Sequence, residues 1–313
     1  MITPDSPYFA QARLLVRVLP FVGAERCFAL KGGTAINLFV RDVPRLSVDI
    51  DLAYLPEGDR AAALQNIHAA LGRIGAAAVA ANPAWRFTFT RMQDGFAYAA
   101  LVSDDRAKIK IEVTPVLRGC VYPEAPRRIG PVAEALLGFA EVRTLSFEDL
   151  FAGKIVAALD RQHPRDLYDA KLLLEREGLT RPLMTAFLVY LVSGDNRISR
   201  TLQPVRKPLD ELYDRQFVNM TADPVSLDEL VHAREALIAA VHANLEEKDR
   251  EFLLSFKRLE PRWELLDVPH ARELPAVRWK LRNLSLMGVV ERERAVSELA
   301  KTLSMPGIDR TGT

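Results

Sequence analysis

Two short groups of residues could do chemistry together: Gly32-Gly33-Thr34, and Asp49 with Asp51 fifteen and seventeen positions past Thr34. A glycine pair between a strand and a helix lets backbone N–H groups approach an anion. The helix N-terminus adds its partial positive charge. Thr34 contributes a hydroxyl. On a strand, residues i and i+2 share a face, so Asp49 and Asp51 stand side by side while Val48, Ile50 and Leu52 point the other way. Two carboxylates that close repel unless a cation lies between them. Mg²⁺ is a hard cation that takes one or two carboxylates and completes its shell from substrate phosphates. The chemistry these types suggest is that of a metal-bound nucleoside triphosphate. A Gly-Gly turn alone is a weak signal, since sterics often require one; the paired aspartates one short helix downstream give it weight.

Other residues extend the group. In AKIKIEV, Ile109, Ile111 and Val113 face one way, with Lys110 and Glu112 opposite. Glu112 is either a third acid, as general base or second metal ligand, or an exposed Lys/Glu ladder position. Farther on, Lys154 and Arg161 lie seven apart on one helical stripe, and Asp166 and Asp169 share a face of the next helix. A pair between Lys154 and one of these aspartates would fix the two helices and hold a cation for a phosphate. A structural salt-bridge cluster is the plainer reading of the same residues. His163, in the turn, reads as solvent-exposed.

Elements must position these residues. Residues 25–31 read as a short buried strand, 34–41 as a short helix, 47–54 as a strand and 58–75 as an alanine-rich helix. Segments 85–92, 96–102 and 107–116 alternate and read as three more strands. The Pro- and Arg-containing stretch CVYPEAPRRIGP reads as a loop. From Ser146 the chain reads as helical, with Ser146 at an N-cap, Glu148 and Asp149 in the first turn, and Pro164 opening the next helix. Breaks fall at prolines 204, 208, 224, 261, 269 and 275. The expected fold is α/β (α+β): a small mixed-sheet core over 1–145, then a mainly helical lobe over 146–313.

Composition bounds the rest. The 313 residues are 49% hydrophobic and 27% charged, as in ordinary globular proteins, and the net charge is +1. Nucleic-acid binding would therefore need a local basic patch. Two cysteines, Cys27 and Cys120, make neither a disulfide framework nor a zinc set, and fit a reducing cytoplasm. The N-terminal segment carries Arg13 and Arg17 in its apolar run and reads as an amphipathic helix rather than a signal peptide. No stretch approaches the roughly 20 apolar residues of a membrane span, so no membrane partner is expected.

The turn, the short helix and Asp-x-Asp, with a later acid, resemble the polymerase-beta type of nucleotidyltransferase. More specifically, L-K-G-G-T-A, R-L-S-V-D-I-D-L, the E-D-L-F-A-G-K helix and R-D-L-Y-D resemble the AbiEii/AbiGii toxins of type IV toxin–antitoxin and phage-abortive-infection systems. Mycobacterial members of that family add nucleotides to tRNA 3′ ends. The resemblance spans roughly residues 25–175 and continues loosely into a Trp-Lys-x-x-Asn element at 279–283. It implies catalytic roles for Ser47, Asp49, Asp51 and Lys154, and for Asp166 or Asp169, with Asp169 preferred. It implies Mg²⁺ (or Mn²⁺) on Asp49, Asp51 and Glu112, with an NTP as substrate held by Lys31, Gly32, Gly33, Thr34, Lys154 and Arg161. A cognate antitoxin and a tRNA or other RNA acceptor are the implied partners.

The C-terminal half interleaves Trp263 and Trp279 with Arg272, Arg278, Lys280 and Arg282, which suits either a strand-tracking surface or a solvated helix over buried tryptophans. Two other outcomes stay open: nucleotide transfer to a protein side chain or a small molecule, and a non-catalytic nucleotide-binding module.

Overall fold

The structure is a computed structural model and describes residues 7–91 and 95–304. Residues 1–6 of the expected N-terminal helix, Met92 of the expected third strand and residues 305–313 of the helical remainder lie outside the described residues. The chain divides into two compact units: residues 1–150 with Val218–Pro224, and Phe151–Phe217 with residues 225–313.

The first unit is built on a seven-stranded mixed sheet. Its strands are β1 (Phe28–Lys31), β2 (Asp49–Tyr54), β3 (Arg86–Arg91), β4 (Ala97–Ser103), β5 (Lys108–Thr114), β6 (Ala125–Arg128) and β7 (Glu141–Thr144), in the order β3-β4-β5-β2-β1-β7-β6. β2–β5 and β1–β7 are parallel; the other neighbours are antiparallel. Alternation decides the faces. Leu30, Ile50, Leu52, Ile109, Ile111 and Val113 are buried. The helices α1 (Pro7–Gly23) and α3 (Arg60–Ala81) pack on the sheet and supply Leu15, Leu19, Ile67 and Leu71 to the core. The polar residues between those strand positions, Asp49, Asp51, Lys110 and Glu112, are left on the opposite face.

Between β1 and β2 runs the short helix. It starts as one α turn, α2 (Gly32–Thr34), and continues as a π-helical segment, Ala35–Val40. The widened turn ends with the Arg41 N–H donating to the Ile36 carbonyl at 2.8 Å. It lets Ala35, Ile36, Asn37, Leu38 and Phe39 all be buried in so short a span.

The stretch read as a loop is corrected by the structure. It contains β6, which pairs with β7, and α4 (Pro131–Leu137) lies between them. The sequence APRR shows no alternation because β6 is the outermost strand, where Pro126 needs no partner for its missing N–H. Its pairing comes from β7, which is itself held by β1.

A short piece from far along the chain belongs to the same unit. The Met220 carbonyl accepts from the Leu46 N–H at 2.8 Å, the Ala222 N–H donates to the Pro44 carbonyl at 2.9 Å, and Arg45 bridges Thr221. These bonds fix the segment that enters β2, where Asp42 and Val43 have φ of 56° and 65°.

Helix α5 (Phe147–Asp160) begins in the first unit, N-capped by Ser146, whose Oγ accepts from the Asp149 N–H at 3.0 Å. The second unit is helical: α6 (Pro164–Arg176), α7 (Arg181–Ser193), α8 (Ile198–Leu202), α9 (Asp210–Gln216), α10 (Leu227–Asn244), α11 (Glu247–Lys257), α12 (Pro275–Ser285) and α13 (Val289–Leu303). Prolines 204, 208, 224 and 261 fall between helices, and Pro275 opens α12, as a ring without an N–H requires. Phe187, Leu237, Phe252 and Phe256 form the core. Among the described residues, no helix is long and apolar enough to cross a membrane.

Candidate active site

The glycine turn is shaped by what presses on it. Gly32 has φ +68°, and a Cβ there would stand 2.5 Å from Asp51 Oδ2. A Cβ on Gly33 would meet Arg45 Nη2 at 2.8 Å and Ser47 Oγ at 3.0 Å. Both glycines are thus needed for space, and Gly32 also for its backbone conformation. Thr34, fully buried, has its hydroxyl 2.5 Å from the Asp49 carbonyl and 2.9 Å from Ser47 Oγ. A carbonyl can only accept, so Thr34 donates to Asp49 and Ser47 donates to Thr34. Asn37 Nδ2 donates to the Gly33 carbonyl at 2.9 Å, tying the turn to the helix it opens. Turn, short helix and β2 are one hydrogen-bonded assembly.

The acids lie beside it. Asp49 and Asp51 are half-buried on the face opposite Ile50 and Leu52. In register, Lys31 stands opposite Asp51, and Asp51 opposite Glu112 on β5. These three form a row across the sheet, with Lys110 opposite Asp49. Lys110 Nζ lies 2.5 Å from Glu112 Oε2, and Lys31 Nζ donates to Thr114 Oγ1 at 2.7 Å. Glu112 is thus the second carboxylate of that row and the partner of Lys110, the exposed Lys/Glu ladder position that the sequence offered as one alternative. Among the described residues, no group of three or more His, Cys, Asp or Glu side chains forms a metal-holding cluster. Two adjacent carboxylates at a glycine turn fit a divalent cation that would take its other ligands from phosphates and water.

Arg45 was not singled out by the sequence reading. It is 2% exposed, and its guanidinium lies against Gly33 and donates through Nη1 to the Leu46 carbonyl at 2.9 Å. The available signal was spacing: Arg45, Ser47, Asp49 and Asp51 alternate along one extended segment, and all four reach the turn or the acid face.

In the second unit, Lys154 lies between two carboxylates, 2.6 Å from Asp166 Oδ1 and 2.9 Å from Asp169 Oδ2. It thus pairs with both aspartates, where one partner was expected. Arg161 closes on Asp166 with two bonds, Nε to Oδ2 at 2.5 Å and Nη2 to Oδ1 at 3.1 Å. Asp166 and Asp169 are each 1% exposed and Lys154 is 6% exposed. Burial pushes the Asp166 carboxyl up, but Lys154 and Arg161 together outweigh it and hold the group below the ordinary carboxylate value. Two carboxylates and two cations make this cluster formally neutral, and it ties α5 to α6. Asp166 and Asp169 engage two of the three ammonium donors. His163 is half-buried rather than solvent-exposed: it caps α6, its Nδ1 accepting from the Arg165 N–H at 3.2 Å, while Nε2 lies 3.1 Å from Gln216 Oε1. Burial lowers its pKa below the ordinary histidine value.

A glycine turn that opens a short helix, with Asp-x-Asp on the antiparallel neighbour, sets an anion-binding turn beside two acids. The chain belongs to the AbiEii nucleotidyltransferase toxin family of type IV toxin–antitoxin systems, whose family model matches residues 13–283. Its fold is similar to that of MenT4, a nucleotidyltransferase toxin from Mycobacterium tuberculosis H37Rv. The TM-score is 0.60 at 15% identity, over 89% of this chain and 93% of that one. No curated protein sequence matches it. The protein is therefore an enzyme of the nucleotidyltransferase class and the toxin of a two-component pair, and its family implies an antitoxin partner.

Proposed function

We propose that the protein transfers a nucleotide from an NTP to the 3′ end of a tRNA, with Mg²⁺ or Mn²⁺ held by Asp49 and Asp51. The observation that carries this reading is the Asp51 carboxylate seated against Gly32, on the same face as Asp49. That proximity supports one shared site for acids that would hold the metal and a turn that would hold phosphate. The divalent ion supplies charge neutralisation for the triphosphate. Gly32, Gly33 and Thr34 offer backbone N–H groups to phosphate oxygens, and Arg45 and Lys31 keep the turn electropositive. Ser47 orients Thr34 and, through it, the Asp49 backbone.

The acceptor hydroxyl oxygen forms a bond to the α-phosphorus, the bond from that phosphorus to the bridging oxygen breaks, and pyrophosphate leaves. Glu112 takes the hydroxyl proton, and Lys110 stabilises the carboxylate beforehand. Lys154, its ammonium held by Asp166 and Asp169, is the charge-balancing lysine that the family resemblance implies, and Asp169 is the essential late acid. Arg161 balances the charge on Asp166. The target would place the protein in the cytoplasm, where addition to tRNA ends stops translation and arrests growth, a phage-defence outcome.

The test incubates the protein with each labelled NTP, total RNA, total protein and an aminoglycoside. Label on small RNA is the expected result. Label on protein or on the small molecule alone would transfer the same chemistry to another acceptor and overturn the tRNA assignment.

A further inference from the structure

The second unit contains a built cationic cavity that the reaction chemistry does not use. It measures 560 Å³ and lies between the ends of α7 and α11 and the helices α12 and α13. Its lining includes Lys257, Lys280, Arg197, Arg294 and Asn283. Lys257, the last residue of α11, is 9% exposed, and among the described residues its ammonium has no hydrogen bond or ion pair. The side chain is largely buried while the residue lines the cavity, so an anion there would meet an ammonium with donors to give. The other groups are largely committed. Lys280 Nζ donates to the Gly194 carbonyl at 2.5 Å and lies 3.4 Å from those of Asp195 and Asn196, so it holds the end of α7 and forms a fixed wall. Glu298 accepts from Ser199 at 3.0 Å and lies 3.6 Å from Arg197. Glu291 and Asp195 are the remaining acids on the lining. Burial and the nearby Arg197 disfavour the charge on Lys257 more than Glu298 and Glu291 favour it, and burial and Lys257 outweigh Asp195 at Lys280. An anion there would relieve both.

A second depression of 530 Å³ adjoins the first and shares Asp195, Asn196, Arg197 and Glu298 with it; Arg200 extends its cations. Two depressions in a row fit a chain of phosphates better than a single nucleotide. On α12, Trp279 is 48% exposed and stands four residues from Asn283, hence on the same side of the helix. An exposed indole beside a cationic pocket is the pairing that polynucleotide-binding surfaces use, with phosphate on the cation and base on the ring.

We propose that this cavity binds a backbone phosphate of the RNA acceptor, with Lys257 as its inner donor, Arg294 at its mouth and Trp279 stacking an adjacent base. The proposal rests on RNA being the acceptor class, and it identifies where in the helical unit that RNA is held.

The full-length protein is titrated against fluorescein-labelled deacylated tRNA, with anisotropy read across a salt series, for wild type, Lys257→Gln, Arg294→Glu and Trp279→Ala. Arg294 is exposed and, among the described residues, makes no hydrogen bond or ion pair, so that variant covers the case in which Lys257→Gln fails to fold. Lys257→Gln and Arg294→Glu should each weaken binding about tenfold and lower the log–log salt slope by about one. Trp279→Ala should weaken binding without changing the slope. Wild-type affinity and slope in folded Lys257→Gln and Arg294→Glu would overturn the pocket. Protection of Lys257 from amine labelling by AMP or inorganic phosphate, but not by tRNA, would overturn the RNA assignment in favour of a free phosphate. Nucleotide transfer measured on the same wild-type sample separates the two claims. Labelled tRNA with unaltered variant binding keeps the transferase and removes the pocket. Weakened variant binding with no labelled tRNA keeps the pocket and removes the transfer.

Discussion

The Asp51 carboxylate fills the space that a side chain on Gly32 would need: Oδ2 lies 2.5 Å from the position of a Gly32 Cβ. A strand two elements away thus dictates the residue at the turn, and the turn fixes the acid. Gly32→Ala would force a methyl group into that carboxylate at φ +68°. The backbone strain alone costs about 1–2 kcal/mol, and displacing Asp51 by a fraction of an ångström to an ångström should lower transfer about 100-fold. Thermal unfolding and labelled-NTP turnover, measured together, check this: the activity loss should exceed what the stability loss explains.

Thr34 links the turn to β2 through one hydroxyl. Thr34→Val keeps the shape and leaves the Asp49 carbonyl and Ser47 Oγ without their partner in a fully buried position. The expected cost is about 1–3 kcal/mol. Thr34→Ser, which keeps the hydroxyl, should recover most of it. Denaturant unfolding of the three proteins decides; equal stability of the Val and Ser variants would mean that the hydroxyl bridge contributes nothing.

The Lys154 cluster is a stability element whatever it does for phosphates. Removing Lys154 as Lys154→Met leaves Asp166 and Asp169 buried with one cation fewer, at a cost of about 3–5 kcal/mol. The pH dependence has a definite sign. Lys154 and Arg161, overcoming burial, hold the Asp166 carboxyl below its unfolded value. Its contribution is present above the unfolded aspartate pKa of about 3.9 and is lost as pH falls below it. The stability advantage of wild type over Asp166→Asn should therefore be level from pH 8 to 5 and shrink toward pH 3. An advantage that grows on acidification would contradict this.

Metal dependence follows from the donor set. Chelation should abolish nucleotide transfer, and Mg²⁺ or Mn²⁺ should restore it. Asp51→Asn should raise the concentration of Mg²⁺ needed for half-maximal transfer by tenfold or more. Transfer that persists in excess chelator would remove Asp49 and Asp51 from the role assigned to them.

Much of the central sheet was legible because its physics is local. Ile50 and Leu52 alternate with Asp49 and Asp51, and Ile109, Ile111 and Val113 with Lys110 and Glu112, so the strands and their polar face could be read directly. The spacing of Lys154 and Arg161, and of Asp166 and Asp169, announced a charge cluster on two helices. What could not be read was set by distant partners. β6 has no alternation and owes its pairing to β7. Residues 218–224 join the first unit through bonds to Pro44 and Leu46 that leave no pattern in the sequence. Nothing local to Arg45 marks it, and the space left by Gly33 lets it be buried. Lys257 sits in an amphipathic helix like any other lysine, and only the cavity marks it.

The most direct test is the transfer of label from NTPs to total RNA by wild type and by Asp49→Ala, with growth after induction followed in parallel. The account expects wild type to label small RNA and arrest growth, and Asp49→Ala to do neither while remaining folded. Equal labelling by both proteins would contradict it, because the acid face beside the Gly32 turn would then not be where the chemistry occurs.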